Sequence, residues 1–155
     1  MIKKLEIENF QGHRNMKIDL HKGVNIIKGP SHSGKTAIIR ALSWALQNRP
    51  RGAQFKSWGT KSGDPVKVKT TFDDAVLIRK REPSFNGYIL PSTKLNAVGA
   101  NLPEEVTNLT RMNPLNIQMQ HDPYFMLQDT PGNVAKMLNE AVEGLELIDV
   151  VLGKA

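Results

Sequence analysis

The sequence has no cysteine. Disulfides and thiolate metal sites are thereby excluded, which suits a reducing cytoplasm. No apolar run approaches the ~20 residues that a membrane-spanning helix requires, so no membrane partner is expected. Met1-Ile2-Lys3-Lys4-Leu5-Glu6 alternates and carries an acid early, the habit of a strand rather than of a signal peptide. Internal repeats and low-complexity tracts are also lacking. What remains is 155 residues, 39% hydrophobic and 23% charged, enough for one soluble domain with a real core. The net charge of +6 suits nucleotide or nucleic-acid partners, or equally an acidic partner segment outside the chain; the lysines and arginines are spread rather than clustered.

Hydropathy patterning predicts strands over residues 4–10 and 16–20, which alternate with period two and should pair across a polar turn at 11–15. Residues 23–28, rich in branched side chains, predict a further strand. An apolar helix should follow from 37 and end near Asn48, because Pro50 and Gly52 come next. Residues 49–65 hold many Gly, Pro, Ser and Lys and read as an irregular surface segment. Strands are expected at 66–72 and 75–81, joined by a turn at Asp73-Asp74, with a short one at 87–90. The last third reads as helical. Pro103, Glu104 and Glu105 open one helix, Thr130-Pro131-Gly132-Asn133 caps another over 134–140, and a third begins near residue 145.

One motif dominates this pattern. Gly29-Pro30-Ser31-His32-Ser33-Gly34-Lys35-Thr36 fits G-x-x-x-x-G-K-[ST] at every fixed position. It lies between a predicted strand and a predicted helix, as its chemistry needs: loop N–H groups turn toward an anion, and the helix start adds unpaired N–H groups and a positive dipole end. Lys35 would reach the β- and γ-phosphates of a nucleotide, and Thr36 would offer its hydroxyl to Mg²⁺. The ordinary alternative, a glycine-bearing turn with a chance lysine, does not account for the flanking elements.

A second constellation, Gln118-Met119-Gln120-His121-Asp122-Pro123, would by itself be surface polarity on an apolar segment. Together with the first it resembles the N-terminal half of an ATPase head from the SMC-like DNA-repair family, and is most similar to the SbcC-type double-strand-break repair ATPases, including phage-encoded ones. The resemblance rests on Asn9-Phe10-Gln11-Gly12-His13, on Gly23-Val24-Asn25-Ile26-Ile27 leading into the phosphate loop, on Gln120-His121-Asp122, on Val134 to Asn139, and on Gly144 to Asp149, in that order. It implies an α/β P-loop NTPase fold: an ABC-ATPase-like N-terminal lobe spanning 1–155, with a mixed sheet around the P-loop helix, an antiparallel β subregion, and a coiled-coil entry helix at about 143–155. It implies that Gly29, Pro30, Ser31, His32, Ser33, Gly34, Lys35, Thr36 and Ala37 bind ATP, with Gln11, Gly12 and His13 near the α-phosphate, ribose or base. Lys35 and Gln120 would be catalytic, and Thr36 and Gln120 would hold Mg²⁺. Gln118 is the alternative to Gln120, two residues earlier.

This sequence departs from the family pattern in three places. Ser31-His32 stands where relatives often carry Asn-Gly; that position favours positive φ, which histidine accepts with less strain than most side chains. Gln11 stands where arginine is common, a neutral amide in place of the guanidinium that the family pattern would set against phosphate. Thr36 replaces serine and keeps the hydroxyl. The acidic Mg²⁺ strand, the water-polarising glutamate and the signature loop are absent, and in the family they follow the coiled coil. The resemblance therefore implies a cytoplasmic, nucleotide-binding lobe that hydrolyses ATP once joined by a C-terminal lobe and a second head in a homodimer, with DNA and an SbcD-type nuclease as further partners. The alternatives are another SMC, RecF or RecN-type lobe, a self-contained P-loop phosphotransferase, and a docking platform in which Lys56, Lys61, Lys67, Lys69, Arg79, Lys80 and Arg81 meet DNA phosphates. Lysines on alternating strands are otherwise the solvated face.

Overall fold

A computed structural model of the chain describes residues 1–50, 52, 54–97, 101–112, 116–119 and 129–141. Six strands form one sheet: β1 (Ile2–Phe10), β2 (His13–Asp19), β3 (Val66–Phe72), β4 (Val76–Glu82), β5 (Phe85–Ile89) and β6 (Lys94–Asn96). Their order across the sheet is β2-β1-β3-β4-β5-β6, and every pairing is antiparallel. Helix α1 (Lys35–Gln47) packs on one face, against β1, β3 and β4. A short helix, α2 (Glu104–Thr110), buries Val106 and touches α1. The chain divides into two compact units, Met1–Arg111 and Met112–Ala155. Within the second, α3 (Pro131–Ala141) starts with proline in its first turn, and the Thr130 hydroxyl accepts the Asn133 N–H at 3.4 Å, the cap its sequence predicts.

Period-two patterning explains the sheet. Leu5 and Ile7 of β1, Val66 and Val68 of β3, and Leu77 of β4 point to the α1 side and are buried. From the helix come Ile38, Ala41, Trp44 and Ala45. Each fully buried large apolar side chain contributes about 1.5–3 kcal/mol by leaving water. Phe10, Trp44 and Phe55 meet as a cluster, with ring centroids 5.7, 5.4 and 4.7 Å apart. This cluster pins the hairpin end of β1 and the otherwise irregular 54–60 segment to the same helix.

The opposite face is charged, and its register sets acid against base. Glu6 lies opposite Lys69 and Glu8 opposite Lys67. Lys69 pairs with Glu6 at 3.7 Å, Lys67 with Glu8, and Lys80 with Glu82 at 2.8 Å. Arg79 faces the core instead and is only 3% exposed. Its guanidinium lies 4.6 Å from the Trp44 ring centre and 4.8 Å from that of Tyr88. It donates to the Gly87 carbonyl at 2.9 Å, to the Asn86 side chain at 2.8 Å and to the Asn48 side chain at 3.1 Å. Asn48 ends α1 in the left-handed region, φ 54°. Burial holds the Arg79 pKa below its ordinary value.

Three expectations are revised. Residues 23–28 join no strand ladder among the described residues; Val24 is 90% and Ile26 72% exposed. Branched side chains favour a strand only where a neighbouring strand completes its hydrogen bonds, and none is there. For the same reason the described sheet is antiparallel rather than mixed. The basic set proposed as a DNA-facing group is not one free surface: Arg79 is buried, and Lys67, Lys69 and Lys80 are paired with carboxylates. The expected coiled-coil entry at 143–155 and Gln120 with His121-Asp122 lie outside the described residues.

Candidate nucleotide site

The phosphate loop sits directly on the start of α1. Gly34 is the residue before the helix and holds φ +88°, a conformation glycine adopts without strain. Its carbonyl accepts the Ala37 N–H at 2.9 Å, which begins the helical turn. No side chain caps this helix start, and its first turn carries no acid. Its N–H groups and positive dipole end are therefore open to an anion. The loop itself is tight: Ser33 N–H donates to the Pro30 carbonyl at 3.4 Å, and a Cβ placed on Gly29 would lie 2.8 Å from Ser33 Oγ. His32, at the exposed tip, adopts φ 61°, the left-handed geometry its sequence position implies.

Lys35 folds back over this loop. Its Nζ donates to the Gly29 carbonyl at 2.8 Å and the Pro30 carbonyl at 2.6 Å. The ammonium is thus held at the mouth of the loop by these two carbonyls and, at 3.5 Å, by Ser33 Oγ, all neutral acceptors, with no carboxylate partner among the described residues. A carbonyl pair is a weaker partner for an ammonium than a phosphate oxygen, so the arrangement favours exchange toward an anionic ligand. Thr36 follows at the helix start. Ala37 is 6% exposed, and its side chain belongs to the core rather than to the loop mouth.

The β1–β2 turn closes one side of the site. Phe10 pairs with His13 across Gln11-Gly12, and Gln11 N–H donates to the Phe55 carbonyl at 2.6 Å. His13 reaches the loop directly, with Nε2 3.0 Å from the Gly34 carbonyl. The same turn borders an open cavity of about 650 Å³ whose walls include Gln11, His13, Arg14, Asn15, Gln54 and Trp58. Ser57 N–H donates to the Asn9 carbonyl at 2.9 Å, fixing the far wall to β1. Trp58 is 91% exposed, while a Cβ on Gly59 would lie 2.9 Å from an Arg14 guanidinium nitrogen. An exposed indole, a guanidinium and three side-chain amides make a wall suited to an aromatic base.

The structure therefore brings the sequence-predicted His13 to residues 29–36 at the helix start, and places Gln11 and Gly12 beside it on the cavity wall. Gln118 falls in the second unit, and Gln120 lies outside the described residues. Arg14, Gln54 and Trp58 were missed by sequence reasoning. No sequence signal separated them: Phe55 and Trp58 share one Gly-, Ser- and Lys-rich stretch, yet Phe55 is buried in the core and Trp58 is exposed. Among the described residues no three His, Asp or Glu side chains converge as a metal centre, and no helix is long and apolar enough to cross a membrane.

Comparison with known proteins finds relatives by sequence and by fold. A family model described as an AAA domain matches residues 4–111. The chain is similar to the DNA double-strand break repair Rad50 ATPase of Methanococcus maripaludis, 43% identical over 56 residues, and to that of Pyrococcus abyssi, 30% identical over 92 residues. Those matches cover 36% and 55% of this chain but only 6% and 10% of the two relatives. The DNA replication and repair protein RecF of Lactococcus lactis is 32% identical over 75 residues, 48% of this chain and 21% of its own length. Among solved structures, one described under ATP-driven dimerization and DNA-stimulated activation of SMC ATPases superposes with a TM-score of 0.67 at 19% identity, covering 91% of this chain and 99% of that one. The chain belongs to the AAA domain family, with the P-loop fold of an SbcC- or Rad50-like ATPase N-terminal lobe.

Proposed function

We propose that this chain is the ATP-binding half of a DNA-repair ATPase head. The observation that carries the reading is Lys35 Nζ resting on the Gly29 and Pro30 carbonyls above an uncapped helix start. A triphosphate entering the loop would take the ammonium from those carbonyls and receive the loop and helix N–H groups, so binding exchanges neutral partners for charged ones. Thr36 would give Mg²⁺ its hydroxyl, and the ion would neutralise charge on the β- and γ-oxygens. The base would lie in the cavity beside Trp58. Gln120, or Gln118 two residues earlier, would orient the attacking water.

Hydrolysis in this proposal also needs an acidic Mg²⁺ ligand, a water-polarising glutamate and a signature loop from a second head. The exposed segment 24–28 supports a second lobe, because Val24 and Ile26 lie two apart in a stretch of strand composition that joins no ladder, and both are left exposed. ATP closing two such heads, with DNA as the processed partner and a nuclease beside them, completes the proposed cycle. The all-antiparallel sheet does not favour a self-contained phosphotransferase, whose strands would be parallel and interleaved with helices.

Lys35→Ala tests the assignment. It removes the only side-chain cation of the loop motif, and the expected outcome is loss of measurable Mg-ATP binding in calorimetry with an unchanged circular dichroism spectrum. Unaltered ATP affinity in that variant would overturn the proposal.

A further inference from the structure

We infer that His13 is a positioning residue for the phosphate loop: it acts on the nucleotide through Gly34 rather than by touching it. The inference rests on the phosphate-loop reading above. Its starting point is the 3.0 Å contact between His13 Nε2 and the Gly34 carbonyl. A carbonyl oxygen can only accept, so Nε2 carries the proton and donates.

The geometry gives this bond leverage. The Gly34–Lys35 peptide is a rigid trans plane, so its C=O and N–H point in opposite directions. Holding the Gly34 oxygen on His13 aims the Lys35 N–H the other way, toward the open helix start that would face phosphate. The Gly34 carbonyl accepts a second bond from the Ala37 N–H at 2.9 Å, so its orientation is fixed from two sides. The imidazole also fills the space a side chain would take at Gly34: a Cβ there would sit 2.7 Å from Nε2. Gly34 at φ +88° thus meets two demands together, backbone geometry and room for this ring.

The other end of the latch is equally firm. His13 pairs in register with Phe10, which is fully buried and stacks on Phe55. His13 also lines the cavity beside Trp58. One side chain therefore ties the aromatic core, the cavity wall and the phosphate loop together. Loop preorganisation of this kind lowers the ordering cost of binding.

Two replacements separate the role from general stability. His13→Gln places an amide N–H near the Nε2 position, whereas His13→Asn places it near Nδ1, short of Gly34. A single hydrogen bond contributes on the order of 1 kcal/mol, which is about a fivefold change in affinity. Calorimetric titration with Mg-ATP and with inorganic tripolyphosphate should show His13→Gln within about twofold of the parent chain. His13→Asn and His13→Ala should bind both probes roughly threefold to tenfold more weakly. Nitrogen-edited NMR of the unsubstituted chain should show the His13 proton on Nε2. Equal affinities in parent and His13→Asn, a Gln variant as impaired as Ala, or an Nδ1–H tautomer would each overturn the latch. Loss of ATP binding with tripolyphosphate binding intact would make His13 a base or ribose contact instead, and so would also overturn it. A parent chain that binds neither probe would overturn the phosphate-loop reading itself, and this role with it.

Discussion

Trp58→Ala separates recognition of the base from recognition of the phosphates. Trp58 is 91% exposed, so its side chain contributes little to folding, and truncation should change unfolding free energy by less than about 0.5 kcal/mol. Its face is available to a ligand in the 650 Å³ cavity, where Arg14 and Gln54 supply polar edges. Stacking of a base on an aromatic side chain is worth about 1–3 kcal/mol by alanine substitution. That range converts to a loss of about fivefold to 150-fold in ATP affinity. Tripolyphosphate has no base and meets only the loop, so its affinity should not move. Fluorescence provides an independent readout because the chain has two tryptophans. Trp44 is 1% exposed and should resist acrylamide, while the Trp58 signal should be quenched by acrylamide and protected by ATP. Equal weakening of both ligands would show a folding defect, and unchanged ATP affinity would show that the base lies elsewhere. Either result refutes the base-stacking argument.

Arg79→Ala should destabilise the fold by about 3 kcal/mol or more in urea unfolding, because it strands buried acceptors on Asn48 and Gly87, empties the space between the Trp44 and Tyr88 rings and loses the bond to Asn86; a change under about 1 kcal/mol would contradict the buried clamp. Arg79→Lys should recover only part of the loss, since an ammonium cannot present the guanidinium fork to those acceptors. Asp73 bonds the N-terminal amine at 2.6 Å and Lys3 at 2.9 Å, and these partners, the amine first, lower its pKa from 3.8 to about 2. A carboxylate with a depressed folded pKa stabilises above its unfolded value and ceases to do so as pH falls through the folded one. Thermal midpoints should therefore drop between pH 3.8 and about 2 more steeply in the parent chain than in Asp73→Asn; parallel curves would refute the ion pair.

Legibility differed by kind of signal. Local patterning specified β1, β3 and the end of α1, because alternation and the Asn48-to-Gly52 breakers act through neighbouring residues alone. The phosphate loop was legible for a related reason: its glycines, lysine and threonine are fixed by covalent spacing. The cavity wall was not, since Trp58 and Arg14 lie 44 positions apart in sequence and line one cavity because Phe55 joins the Phe10–Trp44 cluster. The fate of the strand lysines was equally hidden. Alternation placed Lys67 and Lys69 on the solvated face, but only the β1–β3 register reveals Glu8 and Glu6 opposite them. A positive residue count therefore overstated the free positive surface.

Residues 23–28 pose the sharpest conflict between local pattern and observed structure, and the conflict is informative. Gly23-Val24-Asn25-Ile26-Ile27 has strand composition, yet Val24 and Ile26 are left 90% and 72% exposed. Exposing two branched apolar side chains forgoes about 1.5–3 kcal/mol each relative to burial. A segment with that composition and no ladder is a template for another strand. Its position is constrained, because Gly29 begins the phosphate loop immediately afterwards and Lys35 Nζ bonds the Gly29 carbonyl. Whatever strand pairs with 24–28 is thereby carried to the edge of the phosphate site. Under the proposed function that partner is the second lobe, which brings the acidic Mg²⁺ ligand and the water-polarising glutamate. Pairing of the strand and completion of the catalytic site would then be one event, and the exposed Val24 and Ile26 would provide its apolar driving force.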